Sequence, residues 1–138
     1  MKTHTPLSFT QSLFCDSYIT CALWSSTDGA DDSGGEPMDS NYCASDIAPD
    51  TLEQMRSDCL AFLADNGSDL EAVDRLCSVV RAGHNFWLNR NGHGSGFWDE
   101  YFGDDKELRA SFIRLSDASK ACGSFDLYIG DDGQIHGS

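Results

Sequence analysis

Five residues that could carry chemistry lie in a short stretch of the second half of the chain: His84, Arg90, His93, Asp99 and Glu100. Imidazole and carboxylate groups are the side chains that general acid–base catalysis and metal coordination use. The two histidines, however, lack the H-x-x-x-H spacing that places two ligands on one helical face, and no serine or cysteine lies in a nucleophile motif. The sequence therefore favours a non-enzymatic protein without cofactor or metal. A metal-dependent hydrolase centred on His84, His93 and Asp99 is the alternative.

These residues surround a glycine-rich loop, which the flanking elements must hold in place. Residues 91–96 contain three glycines, and aromatic residues flank them at 86–88 and 97–98. Glycines supply the positive-φ positions of a tight turn, and facing aromatic residues stabilise antiparallel strands. The pattern predicts a β-hairpin. If one aromatic face of this hairpin is exposed, Trp87 and Trp98 become anchors for a protein partner.

The negative charge of the chain is concentrated in one segment. Between Asp28 and Asp74 there are 13 acidic residues and one basic residue, Arg56, whereas nine acidic and six basic residues follow from Arg81 onward. The formal net charge is −14. A charge of this size repels nucleic-acid phosphates and anionic membranes, and it attracts a basic groove over the Debye length of roughly 8–10 Å. The composition therefore argues against direct binding of nucleic acid or membranes.

Apolar residues recur at helical spacing in four segments, which predict four helices. Pro49 suits the first position of the second helix, and the Ser-Asp-Leu-Glu run at residues 68–71 is typical of a capping box that opens the third. Gly83 is expected to end the third helix and Gly123 the fourth. The predicted helices cover residues 8–25, 49–66, 68–83 and, from an N-cap at Asp104 or Asp105, about 108–119.

The chain closes on a second predicted hairpin. Apolar and polar residues alternate over 125–129, and the Asp-Asp-Gly run at 131–133 supplies a turn before residues 134–136. We therefore predict an α+β fold with about four helices and a small antiparallel sheet of two hairpins in the C-terminal half. It forms a single domain over residues 1–138, with an acidic helical half at about 1–83 and a hairpin–helix–hairpin half at about 84–138.

Cysteine usage and hydropathy predict the compartment. The six cysteines form no C-x-x-C pair, and most lie among apolar residues on helical patterns, so we expect reduced core residues. No stretch approaches the roughly 18–20 continuous apolar residues that span a bilayer. The N-terminal residues do not match a signal peptide. These features predict a protein of the cytoplasm.

The glycine-rich loop and its flanks carry a resemblance to a known family. The run 85–99, Asn-Phe-Trp-Leu-Asn-Arg-Asn-Gly-His-Gly-Ser-Gly-Phe-Trp-Asp, resembles the motif of a family of small acidic proteins encoded by tailed bacteriophages and prophages. Segments 21–28, 46–49 and 126–133 are similar to further segments of that family, so the resemblance covers most of the chain from Cys21 onward. It implies an accessory protein made in the infected cell, and it carries no catalytic residues over. In that setting small acidic proteins often inhibit host defence nucleases, as anti-restriction DNA mimics and several anti-CRISPR proteins do.

Charge and resemblance together predict a phage-encoded, non-enzymatic inhibitor in the cytoplasm of the host cell. Its partner would be a host defence protein or complex with a basic groove. A regulatory binding module for another phage protein is a further alternative, and a homodimer is left open. The residues expected to contact the partner are Asp50, Glu53, Asp58, Asp65, Asp69, Glu71, Asp74, Trp87, Arg90, His93 and Trp98.

Overall fold

Helices form most of the structure, and a small sheet lies near its C-terminal end. The computed structural model describes residues 7–28, 35–92, 96–97 and 103–138. These ranges contain five α-helices and two antiparallel strands: α1 (Phe9–Ser25), α2 (Pro49–Asp65), α3 (Gly67–Val73), α4 (Val79–Arg90), α5 (Lys106–Ala121), β1 (Leu127–Ile129) and β2 (Ile135–Gly137). Short 3-10 helices at Met38–Ser40 and Ala44–Asp46 lie between α1 and α2. None of these helices combines the length and the apolar composition that a membrane crossing requires.

Three of the four predicted helices are confirmed as α1, α2 and α5, and each has a residue that stabilises its start. Ser8 caps α1 through a reciprocal capping box with the side chain three residues ahead. Pro49 takes the first position of α2. Asp105 caps α5 by accepting from two backbone N–H groups, and Gly123 follows the helix with a φ of 78°, the left-handed conformation that stops a helix.

The third predicted helix is wrong, because the chain divides it in two. α3 begins ahead of the expected capping box at residues 68–71, so that box does not start the helix. The chain turns after Val73, whose carbonyl oxygen accepts from the N–H groups of Leu76 and Cys77, and Ser78 then caps α4. Leu76, which the continuous helix would have buried, is consequently 48% exposed.

Gly83 lies inside α4, where it allows α4 to cross α1 closely. A methyl group at Gly83 would collide with the carbonyl oxygen of Phe14 and lie 3.1 Å from the side chain of Ser17. The hydroxyl of Ser17 donates to the carbonyl oxygen of Val80 across the same crossing. The predicted helix end at Gly83 is therefore wrong, and the missing side chain serves packing.

The first predicted hairpin is also wrong over its first strand. Residues 86–88 continue α4, and all three side chains are buried because α4 packs between α1 and α5. Phe97, in the predicted second strand, is fully buried as well. Trp98, the other residue of that strand, lies outside the described residues.

The second predicted hairpin is confirmed. β1 and β2 pair antiparallel, with Ile129 opposite Ile135. The backbone N–H of Ala48, just before α2, donates to the carbonyl oxygen of Ile135 at 2.8 Å. This bond ties the C-terminal sheet to the start of α2.

Aromatic rings fill the centre of the molecule. The rings of Phe62 and Phe86 stack with centroids 4.2 Å apart, and Phe14 lies 5.9 Å from Phe62 and 6.0 Å from Phe86. Offset stacking at such distances adds to the stabilisation that area burial provides. Helices α1, α2 and α4 are thereby held around one shared cluster.

The cysteines are all free thiols, and most belong to the core as expected. Burial is complete or nearly so for four of them: Cys15, Cys21, Cys59 and Cys77. Burial raises the pKa of the Cys21 thiol to about 12. Cys43 and Cys122 are exposed, and for these two the expectation of a core position is wrong.

Candidate binding surface

The seven acidic residues that were expected to contact a partner divide into two groups. Two are half-buried and form ion pairs with arginines of the second half of the chain: Asp58 and Asp69. Five have exposed side chains on α2, on α3 or at the end of α3, and we call them the acidic surface: Asp50, Glu53, Asp65, Glu71 and Asp74.

Helix α2 presents its three members of the acidic surface on one side. At about 100° per residue, Asp50, Glu53 and Asp65 fall within about 120° of the helix circumference. The opposite side of α2 is buried in the core through Thr51, Met55, Cys59 and Phe62. Because that buried side fixes the rotation of the helix, the acidic side must face solvent.

Asp58 belongs to an interior network around Arg90. One guanidinium nitrogen of Arg90, Nη1, donates at 2.9 Å to both Asp58 Oδ2 and the Tyr18 hydroxyl. Its Nε and Nη2 atoms donate to the backbone carbonyls of Gly123 and Cys122 at 2.8 and 3.3 Å. Burial raises the pKa of the Tyr18 hydroxyl, so this group stays protonated. The network joins α1, α2 and α4 to the end of α5.

Two residues of the predicted contact surface are therefore interior residues. The Arg90 side chain is only 5% exposed, and all the hydrogen bonds described above are internal. Trp87 is 2% exposed, and its indole N–H donates to Ser25 Oγ at 2.7 Å. Its ring meets the ring of Tyr18 edge-on, with centroids 5.3 Å apart. The expectation that Trp87 and Arg90 reach a partner is corrected, because both are enclosed by neighbouring helices. His93 and Trp98 lie outside the described residues.

Two asparagines near Arg90 hold the neighbouring segments against α4. The side-chain amide of Asn89 donates to Ser116 Oγ at 3.2 Å, and its carbonyl accepts from the backbone N–H of Phe97 at 2.6 Å. The side-chain carbonyl of Asn91 accepts from the backbone N–H of Phe125 at 2.8 Å. These structural contacts of Asn89 and Asn91 were not predicted from the sequence. The signal that could have indicated them is the pair of amide side chains, two residues apart beside a glycine-rich loop, because an amide can both donate and accept hydrogen bonds.

Asp69 ties α3 to α5 through a two-point ion pair with Arg114. The Nη2 and Nε atoms of Arg114 donate to Oδ1 and Oδ2 of Asp69 at 2.8 and 3.0 Å. The hydrogen bonds from Arg114 hold the pKa of the Asp69 carboxyl below its usual value. Asp69 is accordingly a structural residue of the helix packing.

Of the five residues that suggested chemistry, two lie within the described residues: His84 and Arg90. The ring of His84 lies against the exposed ring of Trp24, with centroids 6.0 Å apart. Arg90 belongs to the interior network, and His93, Asp99 and Glu100 lie outside the described residues. Within the described ranges, no group of three or more His, Cys, Asp and Glu side chains is arranged to hold a metal ion. The alternative of a hydrolase remains a prediction.

A groove of about 370 Å³ opens where α1, α2, α3 and α4 meet. The described residues that line it are Ser8, Thr10, Gln11, Leu63, Gly67, Leu70, Glu71, Asp74, Cys77, Val79 and Ala82. The sequence did not indicate this groove, because its walls come from four separate segments and the break between α3 and α4 shapes one end. Two members of the acidic surface, Glu71 and Asp74, stand on its wall.

No protein-family model, curated protein sequence or solved structure matches the chain.

Proposed function

We propose that the chain is a phage-encoded, non-enzymatic inhibitor that binds the basic nucleic-acid groove of a host defence protein through its acidic surface. One observation carries the proposal: the five carboxylates of the acidic surface are exposed and are held on or beside two packed helices. The resemblance of residues 85–99 to a phage protein motif supports the biological setting.

The charge of the chain selects the class of partner. With a net charge of −14, the chain repels nucleic acid and attracts a surface rich in lysine and arginine. Along the axis of α2, Asp50 and Asp65 are separated by about 22 Å, the length of about six base pairs of duplex DNA. Three carboxylates lie along this length, two near the start of α2 and one at its end, and we infer that they take the place of individual backbone phosphates in a basic groove.

The two ion pairs of Asp58 and Asp69 support the proposal indirectly, because they link the helices that carry the acidic surface to the rest of the fold. Asp58 holds α2 to α4 through Arg90, and Asp69 holds α3 to α5 through Arg114. Carboxylates on such fixed helices lose less conformational freedom on binding than carboxylates on a free loop. Asp58 and Asp69 accordingly leave the predicted contact surface and are assigned to packing.

The proposal is tested by neutralising the acidic surface while the fold is kept. Bacteria that carry a defined restriction or CRISPR system are supplied with the chain, and the plating efficiency of a phage blocked by that system is measured. We expect the wild-type chain to restore plating. The test variant carries Asn or Gln at Asp50, Glu53, Asp65, Glu71 and Asp74, and it should lose this effect because the carboxylates that replace phosphates are gone.

A matched control separates the position of the charge from its amount. The control variant carries Asn or Gln at five exposed acidic residues of the second half: Asp104, Glu107, Asp117, Asp126 and Asp131. Its net charge equals that of the test variant, and it should still restore plating. Equal activity of the two variants, with both folded by circular dichroism, would contradict the proposal.

A further inference from the structure

The groove between the first four helices has an apolar floor that remains open to solvent. Leu63, Leu70 and Val79 line it and are only half-buried, although they pack against the core. Half-buried leucine and valine side chains keep apolar surface that a ligand can cover. The floor therefore favours a ligand with apolar side chains.

The wall of the groove is acidic. Glu71 and Asp74 are exposed there, and no basic residue is among the described residues that line the groove. A ligand that covers the floor must bring its polar flanks close to these two carboxylates. The flanks are therefore complementary in charge when they carry lysine or arginine.

We propose that this groove receives a basic amphipathic helix of the partner protein, with its apolar side chains on the floor and its lysines or arginines beside Glu71 and Asp74. This inference rests on the proposed function and names the element of the partner that confers specificity. Grooves between helices commonly take a helix whose anchors recur at three- and four-residue steps. A second copy of the chain is disfavoured, because each copy carries a net charge of −14.

Gly67 provides a way to close the groove without disturbing the fold. It lines the groove, and a methyl group built on it meets nothing within 4 Å. A leucine at Gly67 is therefore expected to fill part of the groove and to leave the packing unchanged. Ala121 is a matched control, because it is exposed at the end of α5, near the Arg90 network and away from the groove.

The test uses a fluorescein-labelled peptide as the probe. The peptide is about four helical turns long, with a leucine stripe on one face and lysines on the other. Fluorescence anisotropy should show that it binds the wild-type chain and the Ala121→Leu variant equally. The Gly67→Leu variant should bind at least about tenfold more weakly, and so should the Glu71→Gln, Asp74→Asn double variant.

Two control peptides separate groove binding from general attraction. A scrambled peptide of the same composition lacks the stripe, and a peptide with glutamate for lysine has the opposite charge; both should bind at least about tenfold more weakly than the striped peptide. Equal binding of the striped and scrambled peptides, or undiminished binding by Gly67→Leu, would overturn the inference.

The outcome also distinguishes this inference from the proposed function. The groove inference fails and the proposed function stands if two results are found together. The peptide binds the Gly67→Leu variant as well as the wild type, and the variant with a neutralised acidic surface no longer restores plating. If plating is unaffected by neutralisation, the proposed function fails whatever the peptide does.

Discussion

Replacing Gly83 with alanine should destabilise the protein, although the same change in an exposed helix has the opposite effect. In α4 the new methyl group would collide with the carbonyl oxygen of Phe14 and crowd Ser17. Backbone atoms cannot rotate away as a flexible side chain would. The helices α1 and α4 must therefore separate, which loosens the ring contact between Tyr18 and Phe86, whose centroids lie 5.2 Å apart.

Two opposing effects determine how much Gly83→Ala lowers the free energy of unfolding. Alanine is favoured over glycine in a helix interior by about 1 kcal/mol. Overpacking a tight core costs about 1–3 kcal/mol, and a collision with backbone belongs at the upper end of that range. The net loss for Gly83→Ala is therefore about 2 kcal/mol. For a chain of this length such a loss lowers the melting temperature by about 6–10 °C.

Gly67→Ala is the matched comparison, since a methyl group at Gly67 meets nothing within 4 Å. It should leave the free energy of unfolding unchanged or raise it by up to about 1 kcal/mol. Urea unfolding followed by tryptophan fluorescence, and thermal unfolding followed by circular dichroism, measure both variants. A Gly83→Ala protein as stable as Gly67→Ala would refute the close crossing of α1 and α4.

Three further changes test the contacts of Arg90, Trp87 and Asp69 by the same urea unfolding. Arg90→Ala leaves Asp58 half-buried without its partner and should cost about 2–4 kcal/mol; a loss under about 0.5 kcal/mol would contradict the network. Trp87→Phe removes the indole hydrogen bond and should cost about 1–2 kcal/mol, whereas an unchanged midpoint would indicate that the bond is not formed. Because the folded pKa of Asp69 is depressed, its contribution is present above the unfolded carboxyl pKa of about 3.9 and is lost as pH falls through the lower folded pKa. Asp69→Asn should therefore lower the free energy of unfolding at pH 7, and the variant should lose less of that free energy than the wild type as the pH falls. If the free energies of unfolding of the two proteins run parallel over pH, the pair with Arg114 is contradicted.

Local signals predicted the parts of the fold that depend on neighbouring residues. Helix α2 begins at Pro49, α5 begins after its cap at Asp105, and the last hairpin turns at the Asp-Asp-Gly run of 131–133. In each case one capping or turn residue satisfies backbone groups within a few residues of itself. Such signals need no knowledge of tertiary contacts.

Tertiary contacts override local signals over residues 74–92 and at Phe97. Gly83 indicates a helix end by itself, but the crossing with α1 requires a glycine at that point. Consecutive aromatic residues such as Phe86 and Trp87 suggest a strand, whereas α4 is covered on two sides and can bury both. The positions of α1 and α5 decide these outcomes, and neither is encoded within this segment.

The candidate site shows the same division. Exposure of Asp50, Glu53 and Asp65 follows from the helical pattern of α2 and was predicted. The loss of Asp58 and Asp69 to ion pairs could not be, because Arg90 and Arg114 lie 32 and 45 residues farther along the chain. Sequence therefore located the charge, and the fold decided which charges face solvent.

The central claim is that the chain occupies the nucleic-acid groove of its partner, and competition with DNA tests it most directly. The protein used in this experiment is the defence protein against which the chain restores plating in the phage assay described above. The apparent Kd of that protein for labelled duplex DNA is measured by anisotropy at rising concentrations of the chain. We expect the apparent Kd to rise linearly with the concentration of the chain and to reach no plateau, because the two ligands exclude one another. A plateau in the apparent Kd, or a complex containing protein, DNA and chain together, would contradict the claim.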